Sequence, residues 1–176
     1  NTRVVFTSDH GHYYGHHTLI AKGAFHYEDG IRVPFLVRQP GKVPAGRQSD
    51  AIQSLVDLAP SFLNAANLPI PRSMTGEDQS DVWYGRQPSA REHAICEFHH
   101  APTTVHLKTY IDQRYKLTTY YNRDYGELFD LVADPGEFNN LWGDPNASAL
   151  KADLIHSLLF AEMGKEPLWM PRVAGA

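Results

Sequence analysis

The sequence predicts an α/β chain in two parts. Strands of a mostly parallel sheet with helices occupy residues 1–98, and a small antiparallel sheet packed with a closing helix occupies 99–176. Three observations carry this. Arg3-Val4-Val5-Phe6-Thr7 is a short apolar run rich in β-branched residues, as expected of a strand buried on both faces of a parallel sheet. Residues 105–111, 115–121 and 127–131 alternate with a two-residue period, and turn formers at 112–113 and 122–124 separate them, which reads as an antiparallel meander. Finally, residues 147–163 place Leu150, Leu154, Ile155, Leu158 and Leu159 on one helical stripe, with Gly164 as its stop.

Between these anchors the chain reads in order. Arg32-Val33-Pro34-Phe35-Leu36-Val37-Arg38 is a second apolar strand, where Pro34 suits an edge or a first position. Asp57 is placed to cap a helix that tolerates Pro60 in its first turn and closes at Asn67. Residues 69–89 are dense in Pro, Gly, Ser, Asp and Arg and read as a surface connection. Ala94-Ile95-Cys96-Glu97-Phe98 is a further strand at the end of the first part, with Cys96 a small buried hydrophobe. Asp134-Pro135-Gly136-Glu137 has the order of a type II turn. A Pro-rich tail carrying Leu168, Trp169 and Met170 is expected to pack back as irregular structure.

Composition sets bounds on function. A chain of 176 residues that is 42% hydrophobic can bury a real core. A net charge of −4 and a pI near 6.2 argue against nucleic acid, which asks for a basic face. No run reaches the length of a membrane span. A single cysteine rules out an internal disulfide framework and leaves the compartment open.

Chemistry concentrates just after the first strand. Asp9 and His10 stand at its carboxyl end, where open α/β sheets place ligand sites. Gly11 and Gly15 keep the following stretch a loop, and Lys22 adds a compact positive charge suited to an anionic substrate. An Asp-His pair alone is more often a turn former beside a surface histidine, so the longer pattern has to decide.

Asp9-His10-Gly11, Gly15-His16-His17, Lys22 and then Tyr27-Glu28-Asp29-Gly30-Ile31-Arg32-Val33-Pro34 together resemble the carboxyl-terminal half of the sulfatase family, in the alkaline-phosphatase superfamily. A second echo is Tyr115-Lys116-Leu117, Gly126-Glu127-Leu128-Phe129-Asp130-Leu131 and Asp134-Pro135-Gly136-Glu137, in what would be the small carboxyl-terminal subdomain. The resemblance implies two calcium ligands in Asp9 and His10, and a sulfate-binding Lys22. His17 fits a Gly-x-His variant of the loop and stands with Lys22 as a catalytic candidate at the cleft edge. The other histidines, His12, His16, His99, His100 and His106, read as loop or structural residues. Glu28 and Arg32 are spaced to brace the Lys22 loop by an ion pair.

Calcium suits the oxygen of Asp9; an imidazole ligand would also admit Mn2+ or Zn2+, which the resemblance favours less. The family's nucleophile, a formylglycine made from Cys or Ser in a Cys/Ser-x-Pro-x-Arg setting, has no counterpart here, since Cys96 lacks those neighbours. The expectation is therefore a fragment that acts on a sulfate ester only with the amino-terminal part of the same enzyme. Two alternatives stay open. One is a phosphodiester or phosphonate monoester hydrolase of the same superfamily. The other is a non-catalytic fragment acting in assembly, including self-association through sheet edges.

Overall fold

The structure is a computed structural model that describes residues 2–100 and 104–165. The Pro-rich tail, with Leu168, Trp169 and Met170, lies outside the described residues. The first part begins with β1 (Val4–Thr7), which pairs antiparallel with β2 (Phe35–Arg38), Val5 opposite Val37. This corrects the expectation of parallel pairing. Parallel neighbours are usually joined across a helix that covers the sheet, whereas the connection here holds only a 3₁₀ turn at His16–Thr18 and the four-residue α1 (Glu28–Ile31) and returns the chain alongside β1. Nor is β1 covered on both faces: Val4, Phe6 and Leu36 are 51%, 60% and 64% exposed.

After β2, a 3₁₀ turn at Leu55–Asp57 leads into α2 (Leu58–Ala65), and Asn67 takes the left-handed conformation that closes it, with φ 56°. Asp57 does not cap as expected: its side chain makes no cap bond to α2 and instead stands at the third position of a capping box begun by Ser54. Its carboxylate is buried and accepts from the Ser54 N–H at 2.9 Å, the Glu77 N–H at 2.8 Å, Gln79 Nε2 at 2.9 Å and Arg91 Nη2 at 2.7 Å. Those bonds draw the 69–89 connection inward, so it is not merely a surface link. It carries α3 (Ser80–Trp83), in which Ser80, Val82 and Trp83 are all buried.

The second sheet has four strands in the order β3 (Ala94–His100), β4 (Val105–Ile111), β5 (Tyr115–Tyr120) and β6 (Gly126–Asp130), all antiparallel. Strand β3 crosses the expected boundary at residue 98 and pairs with β4 along its whole length, Ala94 opposite Ile111 through His100 opposite Val105. Its apolar run looks like that of the first strands, but its partner places it in the meander.

The closing helix α4 (Ser148–Lys165) continues through Gly164. Leu154 and Leu158 are buried against Tyr110, Leu117 and Leu128, with Leu150 and Ala161 packed beside them. Ile155 and Leu159, on the expected stripe, are 40% and 53% exposed. Their spacing fits a helical face, but the sheet is wide enough to cover only the row of Leu150, Leu154, Leu158 and Ala161. The turn at 134–137 also departs from expectation. The Glu137 N–H donates to the Asp134 carbonyl, yet the left-handed residue is Glu137, φ 59°, and not Gly136. Gly136 lies under the Phe138 ring, which a Cβ there would meet at 2.5 Å and displace; that ring is 75% exposed and has room to move.

Side chains of the second sheet hold the segment His26-Tyr27-Glu28 of the first part. Lys116, 1% exposed, pairs with Glu28 Oε1 at 3.1 Å and with Glu137. The other oxygen of Glu137 accepts the Glu28 N–H at 2.7 Å. Glu127 accepts hydroxyl bonds from Tyr27 and Tyr120, each at 2.9 Å. His26 Nδ1 meets Thr109 Oγ1 at 2.8 Å, which meets Thr118 Oγ1 at 2.8 Å.

Two predictions follow from this packing. Leu154→Ala costs about 2–5 kcal/mol of unfolding free energy, whereas Leu159→Ala costs under about 1 kcal/mol, as denaturant titration measures. The second concerns His26, whose pKa burial, and then the Lys116 charge, push from 6.5 to about 4. Between those values the unfolded chain binds more protons, so stability rises with pH across that window and is lost as pH falls through it. Acidification from pH 7 to pH 4 removes about 3 kcal/mol through this one residue. Glu137, whose burial raises its pKa, works in the opposite sense, so the difference between wild type and His26→Gln is the quantity to measure; the variant shows the flatter profile.

Candidate functional site

Asp9, His10 and Lys22 come together. Asp9 and His10 leave the end of β1, and the loop that follows is turned back by Gly11, whose N–H donates to the Gly30 carbonyl at 2.8 Å. Only glycine allows that approach, because a Cβ at residue 11 would lie 1.9 Å from the Asp29 carbonyl oxygen. Lys22 returns along the same loop and places Nζ 3.0 Å from His10 Nε2. His10 Nε2 in turn lies 3.6 Å from Asp9 Oδ2.

The proton on His10 follows from its neighbours. Its Nδ1 is 2.7 Å from the Gly11 carbonyl oxygen, which can only accept. In the neutral ring Nδ1 therefore carries the hydrogen, and the Nε2 lone pair accepts from the Lys22 ammonium. An imidazole held at one nitrogen by a backbone carbonyl can give the lone pair of the other to a metal, although here that lone pair meets Lys22. Asp9 accepts from the His10 N–H at 3.1 Å through Oδ1. Its own backbone N–H and the His10 charge hold its carboxyl below the usual range, so it is an anion at neutral pH.

Asp9 Oδ2 and His10 Nε2 are spaced so that one cation with bonds of about 2.3–2.6 Å can span them. An oxygen and a neutral nitrogen fit a divalent ion. Their side chains remain 84% and 39% exposed, and among the described residues no group of three or more His, Cys, Asp or Glu is arranged to hold a metal.

His17 is placed differently. With φ 50° it turns its ring onto Tyr27, stacked at 3.8 Å and 11°, with Phe138 at 5.3 Å and His16 at 4.3 Å. Burial and the neighbouring His16 lower its pKa, and its Nε2 is enclosed with no hydrogen-bond partner among the described residues. These contacts are aromatic ones to the loop and the second sheet. His16 itself pairs with Asp29. His12 lies against Tyr14, and His99 faces His106 across β3 and β4.

Bracing of the loop falls to residues that sequence reasoning did not single out. Arg32 Nη1 is 3.8 Å from Glu28 Oε2 and its side chain is 83% exposed, so this pair is the weaker one. The strong partners of Glu28 are Lys116 and Glu137. Both lie in motifs already quoted for their resemblance, but a contact across 88 residues leaves no local signal.

The chain matches known proteins over most of its length. The family model described as N-sulphoglucosamine sulphohydrolase, C-terminal, matches residues 15–163. An N-acetylglucosamine-6-O-sulfatase of Bacteroides thetaiotaomicron is 33% identical over 165 residues, covering 90% of this chain and 29% of that protein. An ulvan-active sulfatase of Formosa agariphila is 34% identical over 174 residues, covering 94% and 34%. A structure solved in complex with its substrate D-glucosamine-2-N,6-O-disulfate superposes with a TM-score of 0.87 at 30% identity, covering 93% of this chain and 34% of that one. A phosphonate monoester hydrolase of Agrobacterium radiobacter superposes at 0.83 with 26% identity, covering 93% and 35%. The chain thus spans about a third of the length of these relatives. By its motifs, its fold and its match to that family model over most of its length, the chain belongs to the sulfatases and corresponds to their carboxyl-terminal domain.

Proposed function

We propose that this chain supplies the metal-binding and sulfate-binding part of the active site of a sulfuric ester hydrolase. The observation that carries the reading is the convergence of Asp9, His10 and Lys22, one anion, one imidazole nitrogen and one ammonium within hydrogen-bond or ion-pair distance. Asp9 and His10 are its ligands for calcium, with Mn2+ or Zn2+ the weaker candidates. A bound divalent ion supplies charge withdrawal from the sulfate oxygens. Lys22 contributes a positive charge to the same group and steadies the negative charge that grows as the ester bond breaks. On this reading Lys22 leaves His10 Nε2 when a cation takes that lone pair, and its ammonium turns to the sulfate. His17 is an uncharged part of the cleft edge, held by Tyr27 and Phe138.

The attacking group, formylglycine in this proposal, comes from the part of the relatives that this chain does not span. Relatives named for sulfated carbohydrates make sugar sulfates the first esters to test. Hydrolysis of phosphonate monoesters is the second reading, supported by the similarity to an enzyme of that name.

The test has two arms. This chain alone gives no turnover of 4-nitrophenyl sulfate; measurable turnover would show that the nucleophile is not elsewhere. In a longer form that includes the nucleophile-bearing part, Lys22→Ala lowers kcat/KM for a sulfate ester by about 10²–10³-fold. Asp9→Asn raises the calcium concentration needed for activity. If Lys22→Ala loses less than a few-fold, the assignment of Lys22 is wrong.

A further inference from the structure

Lys116 is buried in the second sheet, far in sequence from the loop that carries the chemistry, and has no place in the reaction as described. We propose that it is a positioning residue for Asp9, His10 and Lys22, acting through Glu28 and α1. The inference rests on the proposed function for the meaning of the loop, and on hydrogen bonds alone for the linkage.

The path is continuous. Lys116 Nζ, 1% exposed at the side chain, binds Glu28 Oε1 at 3.1 Å and also pairs with Glu137, which accepts the Glu28 N–H at 2.7 Å. Glu28 is therefore held at both its side chain and its backbone. It opens the single turn α1, too short to be stable by itself. Two residues on, the Gly30 carbonyl accepts the Gly11 N–H at 2.8 Å. The carbonyl of Gly11 receives His10 Nδ1 at 2.7 Å, and His10 Nε2 lies 3.0 Å from Lys22 Nζ. Each end of this path is fixed by a different part of the fold: Lys116 by a four-stranded sheet, His10 by the end of β1. A shift of α1 moves the Gly30 carbonyl, and with it the peptide that orients His10. Arg32, which also reaches Glu28, is too exposed to act in this way.

Amide hydrogen exchange on this chain, without metal or substrate, tests the linkage. Glu28→Gln keeps the backbone bond to Glu137 but weakens the pair with Lys116, and its site is exposed enough for the fold to tolerate it. In that variant the Gly11 amide exchanges about tenfold faster, while the amides of Leu154 and Leu158 stay within about twofold. Arg32→Ala leaves all three amides unchanged. Lys116→Met strands Glu137, so the double variant Lys116→Met/Glu137→Leu is the companion: it recovers the protection of Leu154 and Leu158 and leaves Gly11 fast. Equal acceleration of all three amides in Glu28→Gln would reduce Lys116 to a general stabilising role and overturn the proposal. Unchanged Gly11 exchange in a folded variant would overturn it as well. A loss of less than a few-fold in kcat/KM for Lys22→Ala in the longer form would instead count against the proposed function, with the exchange result intact.

Discussion

One buried ammonium holds the two parts of this chain in register. Lys116 sits where Glu28 from the first part and Glu137 from the turn after β6 converge, and among the described residues the exposed Arg32 is the other cation that pairs with either carboxylate. Removing one partner from such a cluster typically costs about 3–5 kcal/mol, because the others are left charged in a medium that solvates them poorly. Burial pushes the Glu137 pKa up, against the pull of Lys116. The same ammonium helps to keep His26 neutral, so that its imidazole can pair with Thr109 without a second charge in the sheet.

The backbone pays for this arrangement at Glu137. A non-glycine residue at φ 59° carries strain of about 1 kcal/mol, tolerated where surrounding bonds fix the conformation. Here they do. The turn aims the Glu137 carboxylate back at Lys116 and at the Glu28 N–H, while Gly136 leaves room for the Phe138 ring, which then lies against His16 and His17. The turn of the second sheet thus touches the loop of the first both through charge and through aromatic contact. Tyr27 adds a third bond, to Glu127, where burial and the adjacent carboxylate keep the phenol protonated.

What the sequence made legible was whatever is local. Alternation and the turn formers between the runs located β4, β5 and β6, although β5 and β6 are buried at successive residues and so are covered on both faces. The spacing of Asp9, His10 and Lys22 marked the site through its resemblance to a family, and the fold brings the three together. Partnership was not legible. Ala94–His100 has the composition of the earlier strands, and only its pairing with β4 assigns it to the meander. The stripe on α4 was read too wide, since helical spacing does not report how much of a face the sheet can cover. Asp57 looked like a cap; Ser54, three residues before it, is the local partner of a capping box, while Glu77, Gln79 and Arg91 reach it from positions with no fixed spacing.

The open side of the molecule bears on the same site. Strand β1 ends in Asp9 and His10, and its outer face shows Val4 and Phe6 next to Leu36 of β2, all more than half exposed. Apolar side chains set together on a sheet face suit a surface that packs against another part. Calcium asks for six to eight ligands, and on the proposed function Asp9 and His10 supply two. A cation held by two exposed donors gains little over its hydration, so on the proposed function the missing ligands and the cover for β1 have one source. The part that packs on Val4, Phe6 and Leu36 is then also the part that closes the metal shell. Affinity for metal and burial of β1 rise together, and the loop mounted on Lys116 needs only to present its two donors and one ammonium in the right place.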